Sequence, residues 1–132
     1  MKLLDLFKKK QLPVIEKDIN EQRAEALVCQ YAFDFPVIPK AEIIQLLEAE
    51  LRQPVPGSAE YVRVLCGYLY CLGDETDVPL LEKAKYSIHM DIGCMVDIEW
   101  IESLKNGGEP GENIRPRADI IRDFVDYYGG IL

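Results

Sequence analysis

No apolar run in this chain approaches the roughly 18–20 residues needed to cross a bilayer. That excludes a helical membrane span from the sequence reading. The opening segment MKLLDLFKKK does not read as a secretory signal, because its apolar stretch is short, Asp5 interrupts it, and its lysines follow that stretch. Leu3, Leu4 and Phe7 are expected to dock on the core as a first helical turn. Histidine is nearly absent: His89 is the single one. A zinc site built on several imidazoles is therefore excluded, since zinc requires three or four protein ligands. The four cysteines, Cys29, Cys66, Cys71 and Cys94, form no C-x-x-C pair and sit among apolar residues. Free cysteine in such surroundings behaves as a small hydrophobe, which suits a reducing cytoplasm better than a disulfide framework. Period-two alternation is missing too, so strands are not expected. Gly107, Gly108 and Gly111 lack the Lys-Ser/Thr that completes a phosphate loop, and no strand precedes them.

What is present is helical. The 132 residues are 48% hydrophobic and 29% charged, the make-up of one ordinary globular domain spanning 1–132. The apolar centre is the stretch 58–73, SAEYVRVLCGYLYCLG, whose interior carries only Glu60 and Arg63 as charges. Tyr61, Leu65, Tyr68, Leu69 and Leu72 share one face, with Val62 and Cys66 beside them. A stripe that wide needs neighbours on at least two sides. Ser58 is a suitable N-cap. Gly67 costs about 1 kcal/mol against Ala inside a helix, and close approach of a neighbouring element is the expected return. Gly73 is expected to close the helix in a left-handed conformation.

Other helices are arranged around it. Asp18-x-x-Glu21 reads as a capping box, followed by Ala24, Leu27, Val28 and Tyr31 at helical spacing and a stop at Asp34-Phe35-Pro36. Residues 40–52 form a helix with Ile43, Ile44, Leu47 and Leu51 inward, ended by Pro54-Val55-Pro56-Gly57. After the polar turn 74–77, Thr76 or Asp77 is expected to cap a helix that turns Val78, Leu81 and Ala84 inward, with Leu80 alongside. Asp97 caps a helix from Ile98 to Lys105 with Ile98, Ile101 and Leu104 as its stripe and Trp100 on its flank. A last helix covers 116–128, with Ile120, Ile121, Phe124, Val125 and Tyr128 buried and an Arg122–Asp126 pair outside.

Val62-Arg63, Leu72-Gly73-Asp74 and Val78-Pro79-Leu80-Leu81 together resemble a HEAT-type helical repeat over residues 58–86. No second copy with the Leu-Gly-Asp turn is found. The resemblance implies an all-α fold, a short irregular α-solenoid or helical bundle of about six to seven helices, with a HEAT-like αα-hairpin at 58–86. One repeat cannot bury its own face, so flanking helices must stack on it.

Function is less legible. His89, Asp91 and Cys94 have the composition of a nucleophilic or metal site, but a half-buried histidine and a core cysteine beside a turn are the favoured reading of them. Asp74, Glu75 and Asp77 do not follow the spacing of an EF-hand loop. No cofactor is expected. The charge is uneven: 8 basic and 9 acidic residues precede Ser58, and 7 basic and 14 acidic follow from it, for a net −8. Such an acidic half repels nucleic acid and anionic lipid, and either favours a basic protein partner or serves only to keep the protein soluble. The expected contact surface is Asp74, Glu75, Asp77, Asp97, Glu99 and Glu102 around Trp100, with Tyr70 the exposed tyrosine of the central helix. The segment from Leu72 to Asp97 also resembles small bacterial proteins found beside polymorphic toxins, which implies an immunity protein that blocks a basic toxin by binding it. An enzyme using Cys94, His89 and Asp91, and a structural subunit of a homo-oligomer, are the alternative expectations.

Overall fold

The computed structural model describes residues 19–86, 93 and 95–132. Among them are six α-helices: α1 Ile19–Tyr31, α2 Lys40–Arg52, α3 Ala59–Leu72, α4 Val78–Tyr86, α5 Ile98–Lys105 and α6 Arg117–Gly129. Short 3-10 turns at Phe35–Val37 and Glu75–Asp77 join neighbours, and no strand occurs among the described residues beyond one isolated bridge between Gly111 and Ile114. The protein is all-α, as its periodicity implies. No helix among the described residues is long and apolar enough to cross a membrane. Asp18, His89, Asp91 and Cys94 lie outside the described residues, so the capping box and the Cys–His–Asp constellation have no structural account here.

Helix α3 is the axis of the fold. Every residue from Val64 to Tyr70 is buried, which covers the helix all the way round. Its broadest contacts are with α1 and α2, while its contact with α4, the helix that follows it in the chain, is smaller. The buried apolar side chains of all six helices join in one contiguous cluster. The arrangement is a helical bundle around α3.

Local chemistry explains where the helices stop. Helix α1 ends at Tyr31, before the proline-bearing segment expected to stop it. Ala32 turns left-handed at φ 50°, and the Tyr68 hydroxyl donates to its carbonyl at 2.7 Å. Gly73, expected to be left-handed, is instead extended at φ −101°. A glycine is needed there for space: a Cβ would fall under 3.0 Å from the Asp77 carboxylate and the Leu69 carbonyl. Ser58 occupies the N-cap of α3 but its side chain makes no cap bond. Its hydroxyl forms no hydrogen bond, although it lies near enough to Glu50 to favour that carboxylate.

The close approach expected at Gly67 is present. A Cβ there would fall under 3.0 Å from three ring carbons of Phe124 on α6. Phe124 is 2% exposed and meets Phe33, Tyr68, Trp100 and Tyr128 edge to face at 5.2–6.1 Å. Arg117, at the start of α6, donates to the carbonyls of Tyr70 (2.7 Å), Cys71 (3.3 Å) and Gly73 (2.9 Å). A guanidinium thus satisfies the last carbonyls of α3 and sits at the negative pole of its dipole.

A second polar tie holds α1 to α2. Arg23 grips Glu50 through two hydrogen bonds of 3.3 and 2.6 Å and lies 3.8 Å over the Tyr61 ring. Glu50 is buried, a charge that the apolar stripe of α2 did not announce. Desolvation opposes its ionisation, but the hydrogen bonds from Arg23 and the Val55 N–H and the charge of Arg23 outweigh that and hold its carboxyl below the usual range. A depressed carboxyl contributes stability that is present above the unfolded pKa of about 4.3 and is lost as pH falls through the folded value. Glu50→Gln is therefore expected to cost about 1 kcal/mol at neutral pH. Urea titrations of both proteins between pH 7 and pH 3 check this: the gap should close toward the acid end, and a gap of constant size would refute the linkage.

Candidate functional site

The carboxylates expected to form one binding surface divide into those the fold consumes and those it leaves outside. In the turn after α3, the Asp74 carboxylate accepts from the Thr76 N–H at 2.9 Å, and the Asp77 carboxylate accepts from the Asp74 N–H at 2.8 Å. This reciprocal pair is a capping box. The Thr76 hydroxyl and N–H hold the Asp74 carboxyl below its ordinary value. Asp77 is 7% exposed and ion-pairs with Lys40 of α2 at 2.7 Å. Its place is structural, with the Gly73 backbone packed against it. Asp74 and Glu75 remain exposed.

Helix α5 repeats the division. The Asp97 carboxylate caps it, accepting from the Glu99 N–H at 2.9 Å. Glu99 takes a two-pronged grip from Arg115, with both bonds at 2.8 Å, and Arg115 also reaches Asp123 of α6 at 2.7 Å. Trp100 is 2% exposed, stacked on Tyr70 and edge-on to Phe124. Tyr70, expected at the surface, is fully buried, and its hydroxyl shares a 2.7 Å hydrogen bond with Ser103. The stripe of α5 is therefore Trp100, Ile101, Ser103 and Leu104. Ile98, expected inward, is half out in solvent because Trp100 fills the space against α3 and α6. Glu102 is exposed and makes no ion pair among the described residues. Glu82 of α4 ion-pairs with Lys105 at 3.0 Å.

The fold does bring the two acidic segments together, because the turn Glu75–Asp77 packs against α5. It also opens a cleft of ≈ 230 Å³ between α3, α5 and α6. Asp97, Glu99 and Trp100 of the expected surface line it, joined by Arg63, Arg115 and Tyr127. Arg63 donates to the Tyr128 hydroxyl at 2.7 Å and lies over the rings of Tyr127, Trp100 and Tyr128 at 4.8–5.4 Å. The Tyr128 hydroxyl in turn donates to Glu60. Burial, first, and that bond to Glu60 push the Tyr128 phenol well above its ordinary value, so it stays protonated. On the surface of α6, Arg122 pairs with Asp119 at 2.8 Å, one turn the other way from the Asp126 expected.

Burial pushes the Cys71 thiol up to about 12 and that of Cys66 higher still, which disfavours the thiolate form at both. No group of three or more His, Cys, Asp or Glu side chains that could hold a metal occurs among the described residues.

Arg63, Arg115, Arg117 and Tyr127 were absent from the expected site. Arg63 carried a usable signal. Glu60 and Arg63 are the only charges on an otherwise apolar helix and stand three residues apart, hence on one side of it. Arg115 and Arg117 gave none, since their partners lie far away in sequence.

No protein-family model, curated protein or solved structure matches this chain.

Proposed function

We propose that this chain is a non-enzymatic protein-binding module whose partner is a basic protein. The observation that supports this reading is the packing of the Glu75–Asp77 turn against α5. It sets the exposed Asp74 and Glu75 on one element and the exposed Glu102 on its neighbour, beside a cleft lined by Asp97 and Glu99. Opposite potentials speed encounter and exclude like-charged competitors. The partner's chemistry follows from charge: an acidic face in a chain of net −8 selects lysine and arginine.

The finer parts of the reading come from resemblance. The segment 58–86 is taken as a HEAT-like helix pair, here used as scaffold for the acidic turn between its helices. The motifs from Leu72 to Asp97 make a toxin the kind of partner, neutralised by binding and without turnover. Free thiols at Cys29, Cys66 and Cys71 accord with a reducing cytoplasm.

Co-expression with the product of the adjacent gene, followed by size-exclusion chromatography and calorimetry, tests this. A stable complex is expected. Reversing Glu75 and Glu102 to lysine should weaken it by at least about tenfold, mostly through loss of charge complementarity. Absence of any complex, or a complex indifferent to both reversals, would sink the proposal.

A further inference from the structure

A second acidic cleft lies on the other side of Tyr127. It measures ≈ 290 Å³ and is walled by Glu21 and Glu25 of α1, Glu60 of α3, and Tyr127 and Tyr128 of α6. Tyr127 lines both clefts and is 65% exposed. Its ring stands edge-on to Tyr128 at 4.8 Å, and the Arg63 guanidinium holds it from the side of the other cleft. It is thus a braced aromatic ridge shared by the two clefts. Tyrosine exposed and braced in this way is the residue type that most often anchors protein interfaces.

Glu60 gives the cleft its sign. This half-buried carboxylate accepts from a neutral phenol and forms no ion pair among the described residues. Arg63 reaches it only through the Tyr128 hydroxyl. Among the described residues no cation touches it directly, and at a half-buried wall an incoming cation meets less solvent screening than on open surface. Glu21 and Glu25 are engaged within the chain, and they line the same wall.

We infer that this cleft is the anchoring pocket for the basic partner: an arginine or lysine of that protein enters beside Glu60, with its stem laid against Tyr127. The inference rests on the basic-partner reading and adds to it a specific pocket, whose lining includes none of Asp74, Glu75 and Glu102. A guanidinium over a tyrosine face, with a carboxylate at its end, combines cation–π attraction and a charge-assisted hydrogen bond. Arg23 over Tyr61 with Glu50 at its tip already shows the same combination within this chain.

The test uses a hexaarginine peptide titrated into the full chain at about 0.1 M salt, where the Debye length is about 10 Å. Amide shifts are followed by NMR, with Glu60→Gln, Tyr127→Ala and the pair Glu75→Gln/Glu102→Gln compared after their spectra show a retained fold. The largest shifts should fall on residues lining the ≈ 290 Å³ cleft. Glu60→Gln and Tyr127→Ala should each weaken binding at least about tenfold, the range of an interface anchor, while the Glu75/Glu102 pair changes it less. Binding that depends on Glu75 and Glu102 and not on Glu60 or Tyr127 overturns the pocket and leaves the basic-partner reading standing. Failure of hexaarginine to bind any of these proteins overturns both. Spermidine binding as tightly at the same residues would show a small-cation site and overturn the assignment to a protein side chain.

Discussion

Phe124→Ala is expected to cost about 4 kcal/mol, a large share of the roughly 5–15 kcal/mol by which domains stay folded. The ring is 2% exposed. It meets four other rings edge to face, and each such pair contributes beyond simple area burial, by about 0.5–1.5 kcal/mol. Its partners come from the segment after α1, from α3, from α5 and from α6 itself. Truncation therefore opens a cavity where several elements meet, and no single side chain can collapse into it. A drop in melting temperature of about 15 °C should accompany the loss. Phe124→Leu, which keeps most of the volume, should cost about 1.5 kcal/mol. Thermal and urea melts of both variants check the pair. Equal losses for Ala and Leu would mean that ring geometry outweighs filled volume, contrary to the packing described.

This hub was half visible in the sequence. The 3.6-residue period placed Phe124 on the buried side of the last helix, and Gly67 was read as a point of close approach. That the two meet each other was not visible, because they lie 57 positions apart and periodicity carries no information on which helices are neighbours. The same limit explains the central helix. Its wide apolar face was legible and its ends matched, yet its main neighbours are α1 and α2, while the adjacent α4 touches it less. Local caps were legible where the side chain and its target are close in sequence, as at Asp97. They were misread where tertiary groups intervene. The Asp74–Asp77 box replaced the expected cap at Thr76 or Asp77, with Lys40 completing it from another helix.

The expected binding surface was legible by charge and illegible by burial. Composition shows that carboxylates cluster after Ser58, but a carboxylate spent on a cap or an ion pair looks the same in sequence as a free one. Asp74, Asp77, Asp97 and Glu99 are held by backbone N–H groups or by cations, although Asp74 stays exposed, whereas Glu75 and Glu102 are exposed and make no ion pair among the described residues. Aromatic residues inverted in the same way. Trp100 and Tyr70 stack on each other inside, and the exposed aromatic of the two clefts is Tyr127, which the expected surface did not include. Hydrophobicity does not separate these tyrosines. Helix position does: Tyr128 falls on the stripe of Ile120 and Phe124, and Tyr127 lies one position round from it.

Gly67→Ala sets two opposed effects against each other, and Phe124 decides the sign. Alanine in a helix interior gains about 1 kcal/mol over glycine. The new Cβ, however, would fall under 3.0 Å from the Phe124 ring, and overpacking a fixed core site costs up to about 3 kcal/mol. The ring cannot retreat easily, since its four aromatic neighbours surround it. A net loss of about 2 kcal/mol is expected in the wild-type background. In the Phe124→Ala background the obstacle is gone, and the same substitution should stabilise by up to about 1 kcal/mol through propensity and partial filling of the cavity. The difference between backgrounds, about 3 kcal/mol, is the coupling of the two sites. Chemical denaturation of the four proteins in this cycle measures it directly. If Gly67→Ala is destabilising by the same amount in both backgrounds, the glycine is needed for some reason other than the approach of α6.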